Sequence, residues 1–258
     1  IQNEDPVIAN SLWTATANVS PVYSRLQTQI DADVVVIGAG FTGLSAALHL
    51  AQSGINVVVL EAETPGWGAS GRNGGQVNPG LIENPNHAIT KFGSKMGHRM
   101  IKMSGAAAGL VFDLIEKHNI KCDPRPVGWV RAAHNKRSLC HLEERARQWD
   151  THGETMQRLN SSEIAQLLGT EAYVGGFIDL RGGNIHPLNY ALGLADAALA
   201  EGAQIYGHSK VETLTSANQL HKLTTQHGCV CTKRILVCTN GYSCLLYTSD
   251  AADDLLCV

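Results

Sequence analysis

Residues 33–61 read DVVVIGAGFTGLSAALHLAQSGINVVVLE, and this stretch decides the fold. Val34 to Ile37 is a short β-branched run of the kind that forms a buried strand. Apolar residues then recur at helical spacing from Leu44 to Ala51, and Gly54 stands where such a helix would end. Val57 to Leu60 forms a second apolar run. The stretch therefore predicts a β-α-β unit and an α/β fold class with a Rossmann-like domain.

The turn between the first strand and the helix carries Gly38, Gly40 and Gly43 in the spacing G-x-G-x-x-G. These glycines would permit a tight turn, a close approach of the backbone to a pyrophosphate, and a close contact of helix with sheet. The N–H groups and the positive end of the helix dipole would receive the phosphate charge. Glu61 would accept hydrogen bonds from the adenosine ribose and disfavour a 2′-phosphate. The motif predicts a dinucleotide and leaves NAD and FAD open.

A glycine-rich segment, Gly66–Gln76, follows the second strand almost at once and reads GWGASGRNGGQ. Its backbone could run along an extended ligand, and its polar side chains offer hydrogen-bond donors. An NAD dehydrogenase would usually enter another crossover helix here, so the segment favours FAD. The candidate cofactor-binding residues of the two motifs are Gly38, Ala39, Gly40, Thr42, Gly43, Glu61, Ala62, Gly68, Ala69, Ser70, Arg72, Asn73, Gly74, Gly75 and Gln76.

Composition and charge narrow the class of protein. Hydrophobic residues make up 44% of the 258-residue chain and charged residues 17%, which is ordinary for a folded soluble protein. With a net charge of −3 and no basic stripe, nucleic acid is not expected as a partner. No apolar run reaches the roughly 18 residues of a transmembrane helix, and the polar N-terminus does not resemble a secretory signal. We therefore expect no membrane partner. The cysteines, which we expect to be reduced, predict a cytoplasmic location.

Cysteine and histidine spacings do not indicate a metal site. The seven cysteines include no C-x-x-C pair, and no H-E-x-x-H occurs among the eleven histidines. We expect reduced thiols and no metal. The sequence also lacks the G-x-S-x-G elbow of serine hydrolases. His186, which precedes Pro187, could face a cofactor or hold a structural turn, and the turn is the favoured interpretation.

The two motifs together resemble those of the FAD-dependent oxidoreductases of the D-amino-acid oxidase, glycine oxidase and sarcosine oxidase superfamily. The Gly66–Gln76 string is most similar to gamma-glutamylputrescine oxidoreductase-like members of that superfamily. Three later pieces also resemble it: Gly182–Pro187, a return to the FAD domain; Gly202–Val211, a strand pair near the adenine; and Val237–Tyr242, a strand-to-loop segment near the pyrophosphate. The resemblance implies FAD as cofactor and adds Val211, Thr239, Asn240 and Gly241 to its binding residues.

The resemblance further implies a Rossmann-like FAD-binding domain with an inserted α+β substrate domain. The expected bounds are 1–29 for an N-terminal leader, 30–82 and 184–243 for the FAD domain, and 83–183 for part of the substrate domain. The implied reaction oxidises the C–N bond of a small-molecule amine or amino acid to an imine, usually with oxygen as the electron acceptor. Neither the catalytic residues nor the substrate is indicated by the sequence.

Two alternatives stay open. One is an FAD-containing tRNA-modification oxidoreductase, which would predict a basic face or a fused methyltransferase domain that this sequence does not show. The other is an inactive FAD-binding fragment. Cys244 to Asp254 resembles the translation of a transposase adapter used to prepare DNA sequencing libraries. We therefore expect residues 244–258 to be a non-native tail, native sequence to end near Ser243, and the fold to be truncated at its C-terminus.

Other helices are expected outside the motifs. A long helix is predicted from about His87 to Asn119, with a buried stripe formed by Leu110, Leu114 and Ile115. A charged helix is predicted over about Lys136–His152, and the residues placed on its solvated faces are Glu143, Glu144, Arg145 and Arg147. Ser161 or Ser162 is expected to cap the helix that follows.

Overall fold

The computed structural model describes residues 10–242, so the predicted tail and the first nine leader residues lie outside the described residues. The chain divides into two compact units. Unit 1 holds the described parts of Ile1–Gly74, Ile120–Cys122 and His186–Val258, and unit 2 holds Gly75–Asn119 and Asp123–Ile185. The chain passes from unit 1 to unit 2 between residues 74 and 75, and it returns to unit 1 between residues 185 and 186. The sequence predicted the corresponding domain boundaries at 82–83 and 183–184. The assignment of these domains to FAD and substrate stays a prediction.

The helices and strands are numbered in chain order. The helices are α1 (Leu12–Ala15), α2 (Phe41–Gln52), α3 (Pro85–Lys117), α4 (Lys136–Asp150), α5 (Ser161–Leu168) and α6 (Pro187–Ala200). A 3₁₀ turn covers Ala69–Gly71. The strands are β1 (Gln29–Ile37), β2 (Val57–Leu60), β3 (Gln76–Val77), β4 (Trp129–Ala133), β5 (Gln157–Asn160), β6 (Gly175–Asp179), β7 (Gly183–Asn184), β8 (Gln204–Tyr206), β9 (Thr213–Ala217), β10 (Leu220–Thr224) and β11 (Cys229–Val237).

Unit 1 is built on a six-stranded sheet in the order β8-β2-β1-β11-β10-β9. The first four strands are parallel, and β10 and β9 continue the sheet antiparallel. The predicted β-α-β unit is confirmed as β1, α2 and β2, because Val34–Ile37 of β1 and all of β2 are apolar runs that the sheet buries. One face of the sheet forms a core with Leu26 and Val211, to which the strands contribute Val35, Ile37, Val58, Leu60, Leu223 and Val230.

Unit 2 combines small antiparallel sheets with helices. Strands β4, β6 and β5 form a three-stranded sheet, and β3 pairs with β7. Helix α3 is interrupted at Gly93, whose φ of 77° is outside the helical region. A core joins α3, α4 and the three-stranded sheet through Ala88, Ile101, Ala146, Trp149, Met156 and Phe177. Unit 2 therefore has an α+β architecture, in contrast to the parallel α/β sheet of unit 1.

Burial on α3 and α4 differs from the sequence prediction at two residues. Leu110 is exposed, whereas Leu114 and Ile115 are buried as predicted. Arg145 was placed on a solvated face, which is wrong, because its side chain is only 3% exposed. Its Nη1 donates to the carbonyl oxygens of Ile82 and Glu83 at 2.9 and 3.2 Å, and its Nη2 donates to another carbonyl of the same segment. A segment distant in sequence supplies these acceptors, so the local charge pattern could not reveal the burial.

The cap of α5 also differs from the sequence prediction. Asn160, and neither Ser161 nor Ser162, precedes the first helical residue. Its Oδ1 accepts hydrogen bonds from the N–H groups of Ser162 and Glu163 at 2.9 and 3.0 Å. The Glu163 carboxylate accepts one in return from the Asn160 N–H at 2.7 Å. Asparagine is as good a cap as serine, and here the Asn160 to Glu163 spacing completes a capping box.

Candidate cofactor site

The glycine-rich turn Gly38–Gly43 lies at the carboxyl ends of β1 and β2. Gly38 has a φ of 102°, and a Cβ there would lie 2.7 Å from the carbonyl oxygen of Cys238. A Cβ on Gly43 would lie 2.0 Å from the carbonyl oxygen of Gly38, so no side chain fits between α2 and the strand end. Gly40 is the N-cap of α2 and supplies no side-chain cap. The N–H groups of the first helical turn therefore face the carboxyl edge of the sheet.

Glu61 follows β2 and holds the glycine-rich turn in place. Its Oε2 accepts a hydrogen bond from the Ala39 N–H at 2.7 Å, and its Oε1 accepts one from the Glu63 N–H at 2.9 Å. Burial raises the pKa of this carboxyl above its ordinary value, and the two N–H donors oppose the rise. Each carboxylate oxygen has a second lone pair, so Glu61 can still accept hydrogen bonds from ribose hydroxyls.

The segment that starts at Gly66 crosses the N-terminus of α2. The Ser70 Oγ accepts a hydrogen bond from the Phe41 N–H at 3.0 Å, and a Cβ on Gly40 would lie 2.9 Å from the same oxygen. Ser70 thus supplies the cap that Gly40 lacks. The Gly66 N–H donates to the carbonyl oxygen of Ala39 at 2.9 Å. Both predicted motifs therefore meet at the start of this helix.

Three further side chains of this segment, those of Trp67, Arg72 and Asn73, pack within unit 1. The Arg72 guanidinium lies 4.2 Å from the centroid of the Trp67 ring, and this ring lies 6.1 Å from that of Tyr242. The Asn73 amide donates to two carbonyl oxygens of the preceding 3₁₀ turn at 3.1 and 2.8 Å. Asn73, predicted as a ligand donor, therefore also holds the turn that presents Ser70.

The four candidates from later pieces of the chain, Val211 and Thr239–Gly241, lie in different surroundings in the structure. Thr239, Asn240 and Gly241 follow β11, which is parallel to β1, so they stand at the same sheet edge as Gly38. Asn240 has a left-handed φ of 51°. Val211 lies between β8 and β9, so the strand expected there is not formed. Its side chain is buried in the core of unit 1, which leaves only its backbone as a candidate ligand contact.

The remaining candidates differ in exposure and in the unit to which they belong. Thr42, in the first turn of α2, and Ala62, next to Glu61, are both exposed. Gly68 and Ala69 flank Ser70, and Gly74 is the last residue of unit 1 before the chain enters unit 2. Gly75 and Gln76 belong to unit 2, where Gln76 begins β3. Their predicted role in cofactor binding stays a prediction.

Helix α6 supports the glycine-rich segment within unit 1. The Leu188 Cδ1 lies 3.1 and 3.0 Å from the positions that Cβ atoms on Gly66 and Gly71 would take. His186 is the N-cap of α6, and its Nδ1 accepts a hydrogen bond from the Asn189 N–H at 3.1 Å. Pro187, which marks the start of this helix, is the one local signal that could have indicated Leu188 as a support.

Ser209 is a contributor that the sequence did not indicate. Its N–H donates to the carbonyl oxygen of Glu61 at 2.8 Å, although the two residues are far apart in the chain. Its side chain is almost fully buried. No local pattern marks such a serine, because Glu61 is brought to it by the pairing of β2 with β8.

The site as a whole suits an adenine dinucleotide. The α2 N-terminus offers N–H groups to a pyrophosphate, Gly40 keeps the approach open, and Glu61 offers acceptors to a ribose. Within residues 10–242, no three side chains of the metal-binding types gather in one place. In the same range, each helix is too short or too polar to span a bilayer. Fold and site together define a dinucleotide-binding α/β protein of the Rossmann type.

The comparison with protein families goes further than this class. A family model described as DAO, FAD dependent oxidoreductase, matches residues 33–256. The chain therefore belongs to the family of DAO-type FAD-dependent oxidoreductases, which confirms the resemblance seen in the two motifs. FAD is accordingly the cofactor that membership assigns to the chain.

Individual relatives agree with this family. The chain is 39% identical over 218 residues to a probable oxidoreductase OrdL of Haemophilus influenzae, covering 83% of this chain and 50% of that protein. It is 35% identical over 234 residues to gamma-glutamylputrescine oxidoreductase of Escherichia coli, covering 90% and 54%. A glycine oxidase structure from Geobacillus kaustophilus shares the fold, with a TM-score of 0.69 at 22% identity, covering 84% and 57%. The chain thus spans about half the length of the curated relatives that it matches.

Proposed function

We propose that the whole protein uses FAD to oxidise the C–N bond of an amine or amino acid, with gamma-glutamylputrescine or a related amine as substrate. The observation that carries the cofactor is the convergence of Gly40, Ser70 and Glu61 at the N-terminus of α2. The substrate class is supported by the names of two relatives, gamma-glutamylputrescine oxidoreductase and glycine oxidase. Residues 30–82 and 184–243 would form the FAD domain, and 83–183 part of the substrate domain.

The chain's own residues would bind and orient the cofactor. Bound FAD supplies the ring that accepts a hydride equivalent from the amine carbon. Ser70 accepts the Phe41 N–H, and its hydroxyl proton can be donated to a phosphate oxygen. Glu61 has both oxygens held by backbone N–H groups, so its remaining lone pairs have fixed directions toward a ribose. Ser70 is thus proposed to bind the pyrophosphate and Glu61 the adenosine.

A cytoplasmic location is part of the proposal. Among residues 10–242 the cysteines Cys122, Cys140, Cys229, Cys231 and Cys238 are free thiols. Free thiols of this number are compatible with a reducing compartment. Fractionation of cells that express the tagged protein tests the location, and recovery outside the cytoplasm would contradict it.

A spectrum with an amine panel tests the function. The protein is expressed from the complete reading frame that contains this sequence, and amines and amino acids are added without oxygen. We expect a flavin absorbance band at about 450 nm that bleaches with gamma-glutamylputrescine or a related amine, because the flavin takes up the electrons. A protein that binds NAD and no flavin would refute the cofactor. A flavoprotein that no amine or amino acid bleaches would refute the substrate class.

A matched pair of variants tests the part of the proposal that concerns the ribose. Glu61→Gln removes the charge that would face the ribose hydroxyls, and FAD affinity should fall about tenfold. Glu63→Gln makes the same chemical change two residues away, where the carboxylate lies 3.9 Å from the His208 ring. Titration of the apoprotein with FAD measures both, and Glu63→Gln should match the wild type. Equal losses in the two variants would contradict the role of Glu61.

A further inference from the structure

Residues 11–26 of the leader are anchored to unit 1 at two places, first at the start of α6 and then at the turn 206–209. At this second anchor the Leu26 N–H donates to the Ser209 Oγ at 3.0 Å. Leu26 is buried in the core of unit 1. A Cβ on Gly207 would lie 2.9 Å from the Tyr23 Cβ, so the backbone of this turn packs directly on the leader. The turn 206–209 is therefore held from one side by Tyr23 and Leu26.

The other side of the same turn holds the residues that shape the cofactor site. The Glu61 N–H donates to the Tyr206 carbonyl at 2.9 Å, and the Ser209 N–H donates to the Glu61 carbonyl at 2.8 Å. The His208 N–H donates to the Glu63 carbonyl at 2.8 Å. Ser209 links the two sides, because its hydroxyl accepts from the leader and donates to the Gly207 carbonyl at 2.8 Å. A displacement of the leader would thus reach Glu61 through one buried serine.

The first anchor of the leader lies at the start of α6. The His186 Nδ1 accepts the Asn189 N–H, so the Nε2 of the neutral ring carries the proton and donates to the Thr16 Oγ1 at 3.0 Å. The Trp13 ring packs on this histidine with a centroid distance of 4.9 Å. The Asn18 N–H donates to the Asn189 Oδ1 at 2.8 Å. The first turn of the same helix also carries Leu188, whose side chain supports the glycine-rich segment.

We propose that residues 11–26 brace the cofactor site, with Ser209 and Thr16 as positioning residues. The leader fixes Glu61 through the turn 206–209, and it fixes the glycine-rich segment through the N-terminus of α6. FAD affinity therefore depends on a segment that precedes the nucleotide-binding fold. The inference rests on the proposed function, because it assumes that this site takes FAD.

The link from Ser209 to Glu61 is tested by a double-mutant cycle. In Ser209→Ala the Leu26 N–H loses its acceptor, and FAD affinity should fall about fivefold. In the Glu61→Gln background the same change should cost less than about twofold, because Ser209 holds the backbone of Glu61 and so acts by positioning a carboxylate that this background lacks. Thr232→Val is the matched control. Thr232 is a buried residue of β11 whose hydroxyl also accepts one backbone N–H, that of Arg234, and lies within hydrogen-bond distance of the Asp33 and Arg234 carbonyls.

The control separates positioning from general stability. Ser209→Ala and Thr232→Val should both lower the urea midpoint of the apoprotein, and only Ser209→Ala should weaken FAD binding. Equal losses of affinity in the two variants, or an equal loss for Ser209→Ala in both Glu61 backgrounds, would overturn the brace. Wild-type protein that binds no FAD would refute the proposed function itself. Wild-type protein that binds FAD while Ser209→Ala matches it would refute the brace alone.

The first anchor is tested at exposed positions, where substitution is tolerated. Thr16→Val keeps the shape of the side chain and removes the partner of the His186 Nε2. FAD should dissociate about two- to fivefold faster. Val19→Ala is the control in the same segment, because this valine is 99% exposed. Stopped-flow dissociation of FAD measures both, and identical rates in the wild type and Thr16→Val would overturn this half of the brace.

Discussion

Gly40→Ala is expected to separate cofactor binding from folding. Gly40 has a φ of −85°, which alanine adopts without strain. The new Cβ would lie 2.9 Å from the Ser70 Oγ, and this side chain can rotate away. The rotation loses the hydrogen bond to the Phe41 N–H, at a cost of about 1 kcal/mol. Loss of glycine's freedom in the unfolded chain returns about 0.4–1 kcal/mol. The free energy of unfolding should therefore change by less than about 1 kcal/mol.

The effect of the same methyl group on the cofactor is larger. It stands at the N-cap of α2, where a pyrophosphate has to approach the backbone N–H groups. Losing one hydrogen bond to a charged phosphate costs about 1.5–3 kcal/mol. FAD affinity should therefore fall about 10- to 100-fold, because each 1.4 kcal/mol corresponds to a factor of about ten. The predicted variant folds and binds its cofactor poorly.

Two titrations measure this prediction. Quenching of FAD fluorescence by the apoprotein gives the affinity, and urea unfolding without FAD gives the stability. Gly109→Ala is the control, because no atom lies within 4 Å of its new Cβ on the exposed face of α3. It should leave FAD affinity unchanged and stabilise the helix by about 0.5–1 kcal/mol. Wild-type FAD affinity in Gly40→Ala would refute the assignment of this turn as the phosphate site.

Three further predictions concern stability. Burial raises the Glu61 pKa, so the folded protein holds the carboxyl proton more tightly than the unfolded chain does. Apoprotein stability should therefore fall as pH rises from the ordinary pKa of 4.5 through the raised pKa. Urea midpoints between about pH 4 and pH 7 should fall more in the wild type than in Glu61→Gln, and parallel curves would contradict the shift. Arg145→Met leaves buried carbonyls without donors and should cost about 2–4 kcal/mol in urea unfolding, whereas exposed Arg147→Ala should cost under about 0.5 kcal/mol. Similar losses in the two arginine variants would contradict the burial. His186→Asn keeps a cap acceptor and should exceed His186→Ala in stability by about 1 kcal/mol, and identical melting temperatures would contradict the cap.

The sequence by itself determined the β-α-β unit that carries the candidate cofactor site. The strand, turn and helix around Gly38, Gly40 and Gly43 follow from local rules, because the period of apolar residues and the sterics of glycine act over a few neighbours. Glu61 is predicted as a ribose acceptor on the same local grounds, since it directly follows the second apolar run. The family motif of Gly66–Gln76 can also be recognised from the sequence, and it favours FAD among the possible dinucleotides.

Only the tertiary structure decided which side chains hold that site together. Ser70 caps α2 across the site, Ser209 bonds to Glu61, and Arg145 is buried against carbonyls of a distant segment. Each of these contacts joins residues that the fold brings together and that no local period relates. Leu110 is a further example, because its helical spacing predicts burial and yet its side chain is exposed in the structure. Hydrogen bonding and burial depend on partners far along the chain, and local patterns do not contain them.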